Sequence, residues 1–234
     1  MKRIGMLTSG GDCQALNAAM RGVAKCLFHS GEELEMYGFL EGYKGLIYGN
    51  FRMLTPADFS GVLTKGGTIL GSSRTPFKQI REPDENGLDK VEAMKQNYYK
   101  LRLDCLVILG GNGTHKTANL LRSEGLNVVT LPKTIDNDLA LTDHTPGYGS
   151  AAKYIATSTK EVIRDGLGFS YKKKLVTIIE IMGRNAGWLT GASALSKGED
   201  CDGPDLIYLP EVAFEIDKFV FRVRKLLEKK DVVV

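Results

Sequence analysis

The chain has 234 residues, 43% of them hydrophobic, which is enough apolar material for one large domain or two small lobes. With 31 basic and 28 acidic residues the formal charge is +3, too small an excess for a general nucleic-acid or membrane-surface binder. Cys13, Cys26, Cys105 and Cys201 form no CxxC pair, and His29, His115 and His144 form no HExxH-type cluster, which argues against a disulfide frame or a zinc site and for reduced thiols in the cytoplasm.

One unit recurs along the chain: an apolar strand, a loop rich in Gly or Asp, then an amphipathic helix. Residues 4–8 form the first apolar run, too short for a signal peptide or a membrane span. Ser9-Gly10-Gly11-Asp12 follows, and Leu16, Ala19, Met20, Val23, Ala24 and Leu27 then recur at helical spacing. Residues 105–109 read as a buried strand, followed by Gly110-Gly111-Asn112-Gly113-Thr114 and a helix to about Arg122. Residues 128–131 read as a third strand, leading into Pro132-Lys133-Thr134-Ile135-Asp136-Asn137-Asp138. A helix is expected over about residues 150–164. Residues 175–181 read as a fourth strand, with Met182-Gly183-Arg184-Asn185 and a helix through Trp188 to Leu195 behind it. Residues 205–209 read as a fifth, before a helix with Ile216, Phe219, Val220, Val223, Leu226 and Leu227 on one face. Asp231-Val232-Val233-Val234 reads as the start of a further strand. This alternation predicts an α/β fold with parallel sheets flanked by helices, and places every Gly- or Asp-rich loop at the carboxyl end of a strand, where such sheets bind ligands.

The loops carry the chemistry. Two glycines in residues 9–12 let backbone approach an anion at a helix N-terminus, although a plain turn has the same composition. Three glycines among residues 110–113, with the Thr114 hydroxyl, suit a polyphosphate better than a turn requires. No GxxxxGK[ST] occurs, so this is not a Walker A loop. If residues 134–138 are extended, Thr134, Asp136 and Asp138 share one face, and two close carboxylates suit a base and a group that tunes it. Arg184 and Arg74 can each clamp a phosphate or form a surface ion pair. Lys172-Lys173-Lys174 reads as a solvated loop and Trp188 as core or interface. Gly147-Tyr148-Gly149-Ser150-Ala151-Ala152 matches GxGxxA, but no apolar strand precedes it, so it reads as a helix entry.

Taken together, residues 7–12, Gly66-Gly67-Thr68 with Gly71-Ser72-Ser73-Arg74, residues 110–114, residues 132–138 and Glu180-Ile181-Met182-Gly183-Arg184 resemble the phosphofructokinase family in order and spacing. The resemblance implies a two-lobed fold: residues 1–138 as the phosphoryl-donor lobe and residues 139–234 as a sugar-phosphate lobe that is incomplete in this chain. It implies ATP as donor, Mg²⁺ as cofactor, fructose 6-phosphate as acceptor and a homotetramer with shared active sites. Gly11, Arg74, Thr75, Gly111, Asn112, Gly113 and Thr114 would hold the donor. Asp136 would be the base, supported by Thr134 and Asp138. Ile135, Met182, Gly183 and Arg184 would contact the sugar phosphate. Asn112 stands where the family usually has an Asp near the metal, and Leu175 where it has an Arg. Arg21 and Lys25 match effector-site positions, whereas Pro56 replaces a basic group. Gly113 favours ATP, while Lys133 points to pyrophosphate, the alternative donor. A non-catalytic paralogue is the other alternative. The family continues beyond Val234, so this chain alone is expected not to turn over.

Overall fold

The computed structural model describes residues 1–11, 14–168 and 173–234; Asp12, Cys13 and Lys172 of the segments above lie outside the described residues. The chain folds as two units, Met1–Thr134 with Thr145–Gly147, and Ile135–His144 with Tyr148–Val234.

The first unit is built on β1 (Lys2–Ser9), whose last six residues are all buried, as a strand covered on both faces requires. Helix α1 (Leu16–Phe28) follows, burying Leu16, Asn17, Met20 and Ala24. Then come β2 (Leu34–Phe39), the short α2 (Tyr43–Tyr48) and β3 (Phe51–Leu54). Helix α3 (Lys90–Lys100) starts where the Asp89 side chain accepts from the Val91 and Glu92 amides at 2.9 and 3.0 Å. After it run β4 (Cys105–Gly110), α4 (Asn112–Ser123) and β5 (Val128–Pro132).

The sheet order is β3-β2-β1-β4-β5. Strands β2, β1, β4 and β5 are parallel, and β3 alone runs antiparallel to β2. The connection over residues 40–50 closes through the Leu40 amide to the Asn50 carbonyl at 3.0 Å, too short an excursion for a parallel crossover. The core of this unit lies between the sheet and α2, α3 and α4, around Phe39, Tyr43, Leu46, Met94, Ile108 and Leu121. Because the chain leaves β1 toward β2 and returns to its other side at β4, the switch point of the sheet falls between β1 and β4.

The second unit contains α5 (Tyr148–Gly168), β6 (Leu175–Val176), α6 (Trp188–Ala192) running into a 3₁₀ turn at Ser193–Ser196, α7 (Ile216–Leu227) and β7 (Val232–Val233). Strands β6 and β7 pair in parallel. Two expected strands are corrected here. Over residues 175–181 only Leu175 and Val176 are strand, and residues 205–209 form none. Apolar composition is not enough for a strand; it needs a neighbour's backbone. Among the described residues, that neighbour beyond Val176 is one bond, Thr177 amide to Val233 carbonyl at 2.9 Å, and the Asp205 and Leu206 amides meet the Val234 carbonyl at 2.8 and 3.4 Å. Helix α7 has the predicted apolar stripe, but only Val223 on it is buried. Ile216, Phe219 and Val223 instead line an apolar cavity of about 430 Å³ together with Ile178, Tyr208 and Phe214. Among the described residues, no helix is long and apolar enough to cross a membrane.

Candidate functional site

In the first unit the loops after β1 and β4 lie side by side, since Ser9 and Gly110 are register partners at the ends of adjacent strands. Thr114, buried in the first turn of α4, donates its hydroxyl to the Ser9 carbonyl at 3.2 Å. A third loop joins them. The Ser72 hydroxyl donates to the Gly10 carbonyl at 2.6 Å, and the Gly10 amide donates to the Ser73 carbonyl at 3.1 Å. Gly10 sits at φ +93, a conformation that favours glycine. The Ser73 hydroxyl in turn reaches the Glu41 carbonyl at 2.6 Å. Arg74 is exposed, and one of its guanidinium nitrogens lies 3.7 Å from where a Cβ on Gly11 would be.

Helix α4 opens this cluster to anions. Gly111 is its N-cap and has no side chain with which to cap it, so the first amides and the positive dipole end of α4 lie beside these loops. Asn112 and Gly113 are exposed, and a Cβ on Gly113 would meet nothing within 4 Å. The predicted residues Gly11, Arg74, Gly111, Asn112, Gly113 and Thr114 therefore come together at one end of the sheet, beside the switch point, with Thr75 following Arg74. Sequence reasoning did not find the supports. The Asn17 amide donates to the Lys65 and Gly66 carbonyls at 2.9 and 3.2 Å and accepts from the Ile69 amide at 2.8 Å, tying the third loop to α1. A polar residue in a row of buried helix positions was the available signal. Lys133, only 5% exposed, donates from Nζ to the Gly11 carbonyl.

Tyr43 is the other support. Its hydroxyl donates to the Thr114 carbonyl at 2.7 Å, and burial pushes its pKa well above the ordinary phenol value. Tyr43→Phe is expected to lower stability by about 1 kcal/mol, read as a lower denaturant midpoint at unchanged slope.

The carboxylate segment departs from expectation. Thr134 keeps an extended contact, bridging to Gly147, and its carbonyl accepts from the Thr145 hydroxyl at 2.7 Å. The chain then bends at Ile135 and Asp136, and Asn137 has φ +54. Strict alternation fails, so Thr134, Asp136 and Asp138 do not share one extended face; the turn is what an Asn in the left-handed region produces. In the second unit the Asn137 amide donates to the Asp143 carbonyl at 3.0 Å, closing the loop. Asp136 is half-buried and Asp138 exposed. Asp138 lines an open concavity of about 730 Å³ with Asp143, His144, Tyr148 and Trp188. Trp188 is 56% exposed and so is not core. Also in this unit, Met182 and Arg184 are exposed and Gly183 adopts φ +139.

The sequence matches the family described as Phosphofructokinase over residues 3–234. A protein of Spirochaeta thermophila named ATP-dependent 6-phosphofructokinase is 46% identical over 226 residues, covering 95% of this chain and 59% of its own length. One from Amycolatopsis methanolica named pyrophosphate–fructose 6-phosphate 1-phosphotransferase is 38% identical over 228 residues, covering 97% of this chain and 62% of its own. The crystal structure of a pyrophosphate-dependent phosphofructokinase from Nitrosospira multiformis superposes with a TM-score of 0.83 at 28% identity, over 100% of this chain and 60% of that one. The chain thus spans about three-fifths of the length of these relatives. With its mostly parallel α/β sheet, its glycine loops at the switch point and a match along nearly its whole length, the chain belongs to the phosphofructokinase family.

Proposed function

We propose that the protein carrying this chain is a glycolytic 6-phosphofructokinase that transfers the γ-phosphoryl group of ATP to the 1-hydroxyl of fructose 6-phosphate, giving fructose 1,6-bisphosphate and ADP. The observation that carries this reading is the convergence of three loops, at Gly10, Ser72 and Thr114, on the glycine-capped N-terminus of α4. Residues 1–138 form the donor lobe and residues 139–234 belong to the sugar-phosphate lobe. Gly11, Gly111, Gly113 and Thr114 present backbone and hydroxyl donors to the donor phosphates, and Arg74 adds charge beside Gly11, with Thr75 next to it. Asp136 takes the proton of the sugar hydroxyl as its oxygen bonds to phosphorus; Thr134 and Asp138 support that centre. Ile135, Met182, Gly183 and Arg184 contact the sugar phosphate, Arg184 through its guanidinium fork. The enzyme works in the cytoplasm as a homotetramer.

Mg²⁺ fits this donor set as an ion carried largely by phosphate oxygens. Among the described residues no group of three His, Cys, Asp or Glu side chains is placed to hold a metal, and Mg²⁺ commonly keeps its waters and takes few protein ligands. Asn112, exposed at the start of α4, would supply one neutral oxygen. When bound, the ion neutralises charge on the transferring phosphate.

Pyrophosphate as donor is the second reading, favoured by the buried Lys133 against the Gly11 loop and by the names of two relatives. The open space at Gly113 favours the bulkier ATP. A chimera in which this chain replaces the 226 matching residues of the Spirochaeta thermophila relative tests the choice. Turnover of fructose 6-phosphate with Mg²⁺ and ATP, and little with pyrophosphate, is the expected result. Turnover with pyrophosphate equal to that with ATP overturns it. Asn112→Asp in the same chimera is expected to lower the Mg²⁺ concentration for half-maximal rate.

A further inference from the structure

The turn between β6 and α6 that presents Arg184 has no regular element of its own; two glycines shape it. Gly183 has φ +139, and a Cβ there would sit 2.4 Å from the Ala186 carbonyl oxygen. Gly187 is different. Its φ of −85 suits any residue, yet a Cβ would lie 2.6 Å from Glu211 Oε2 and 3.0 Å from Leu209 Cδ2. A side chain at 187 would therefore push the Glu211 carboxylate aside. The Gly187 amide donates to Glu211 Oε1 at 2.7 Å, so the carboxylate grips the turn just before α6 begins.

Glu211 is itself held. Residues 209–212 form a β-turn closed by the Val212 amide to the Leu209 carbonyl at 3.1 Å. Pro210 stands at the second position of that turn, where its fixed φ is already correct. A stiff turn thus reaches over 24 residues of sequence to a turn outside any helix or strand. We infer that Glu211 is a positioning residue: through the Gly187 amide it fixes the turn of residues 183–187 and with it the place from which Arg184 acts. The last step rests on the proposed role of Arg184 as a sugar-phosphate contact; the positioning does not.

The test on the chain itself is amide exchange at Gly187 together with limited trypsin cleavage after Arg184. A hydrogen bond to a charged acceptor has been lost in Glu211→Ala, so both rates are expected to rise about tenfold, with other tryptic sites unchanged. Glu211→Gln keeps an acceptor oxygen and is expected to behave like the parent. Gly187→Ala, which displaces the carboxylate while leaving it in the chain, reproduces the rise if Glu211→Ala fails to fold. Unchanged rates in Glu211→Ala and Gly187→Ala, or a rise in Glu211→Gln as large as in Glu211→Ala, overturn the inference. In the chimera described above, Glu211→Ala should raise KM for fructose 6-phosphate more than it lowers kcat. Faster exchange with an unaltered KM would leave the positioning intact and remove the sugar-phosphate role of Arg184.

Discussion

Asp136→Asn is expected to lower kcat of the chimera by roughly 10²–10⁴-fold, the usual worth of a general base. A sugar hydroxyl is a weak nucleophile until its proton leaves, and a carboxylate within hydrogen-bond reach accepts it at neutral pH. The amide keeps size and shape but cannot take the proton, so KM for fructose 6-phosphate should change little. Asp136 is half-buried while Asp138 is exposed, and an exposed carboxylate spends its lone pairs on water. Asp138→Asn should accordingly be the milder change. The bend at residues 135–136 and the left-handed Asn137 give the two carboxylates different surroundings, which supports unequal roles. Steady-state kinetics on both variants decides. Near-normal kcat in Asp136→Asn with loss in Asp138→Asn would reverse the assignment, and no effect from either would leave the segment as a structural turn.

Gly110→Ala carries the second large effect. The added Cβ would lie 2.5 Å from Cβ, Cγ2 and Oγ1 of Thr114. Rotating Thr114 does not help, because its Cβ is fixed by the backbone of α4. The helix must therefore move off the end of β4, breaking the Thr114–Ser9 bond. Overpacking of this kind costs about 1–3 kcal/mol, seen as a lower Tm. Turnover should fall about 10²-fold as well, the common result of ångström-scale misplacement near reacting groups. Gly113→Ala is the matched control for stability: with nothing within 4 Å of the new methyl, Tm should not fall. A Gly110→Ala protein with unaltered Tm and turnover would show that α4 is not seated as described.

The parts of the fold legible in the sequence were those where local pattern and final environment agree. Strands β1, β4 and β5 were readable as apolar runs leading into Gly- or Asp-rich loops, and α1 and α4 by helical spacing. Strands β2 and β3 and helices α2 and α3 were not read at all. Leu34–Phe39 carries Glu35 and Gly38 among its apolar residues, and its place between β1 and β3 makes it a strand. Residues 175–181 show the opposite error: an apolar run that, among the described residues, pairs as a strand only at Leu175 and Val176. For the site, glycines and charged residues stood out because their types are chemically conspicuous. Asn17, Tyr43 and Glu211 did not, since each acts through long-range bonds that composition and spacing do not encode. The left-handed Asn137 was hidden for the same reason, and it undid the alternation argument for residues 134–138.

The bonds that lace the three loops together also set when the site comes into being. Ser72 to Gly10, Thr114 to Ser9 and Lys133 to Gly11 span 62, 105 and 122 residues of sequence. Contacts so distant along the chain carry a large loop-closure cost and form only after the intervening strands have docked. An emerging polypeptide that has completed β1 and α1 therefore has the glycines of residues 10 and 11 but no anion cradle. The cradle closes when β4 and β5 are in the sheet and α4 is packed on it, so a partly folded first unit cannot capture a phosphate, and ligand added during refolding stabilises only molecules that have finished assembling it.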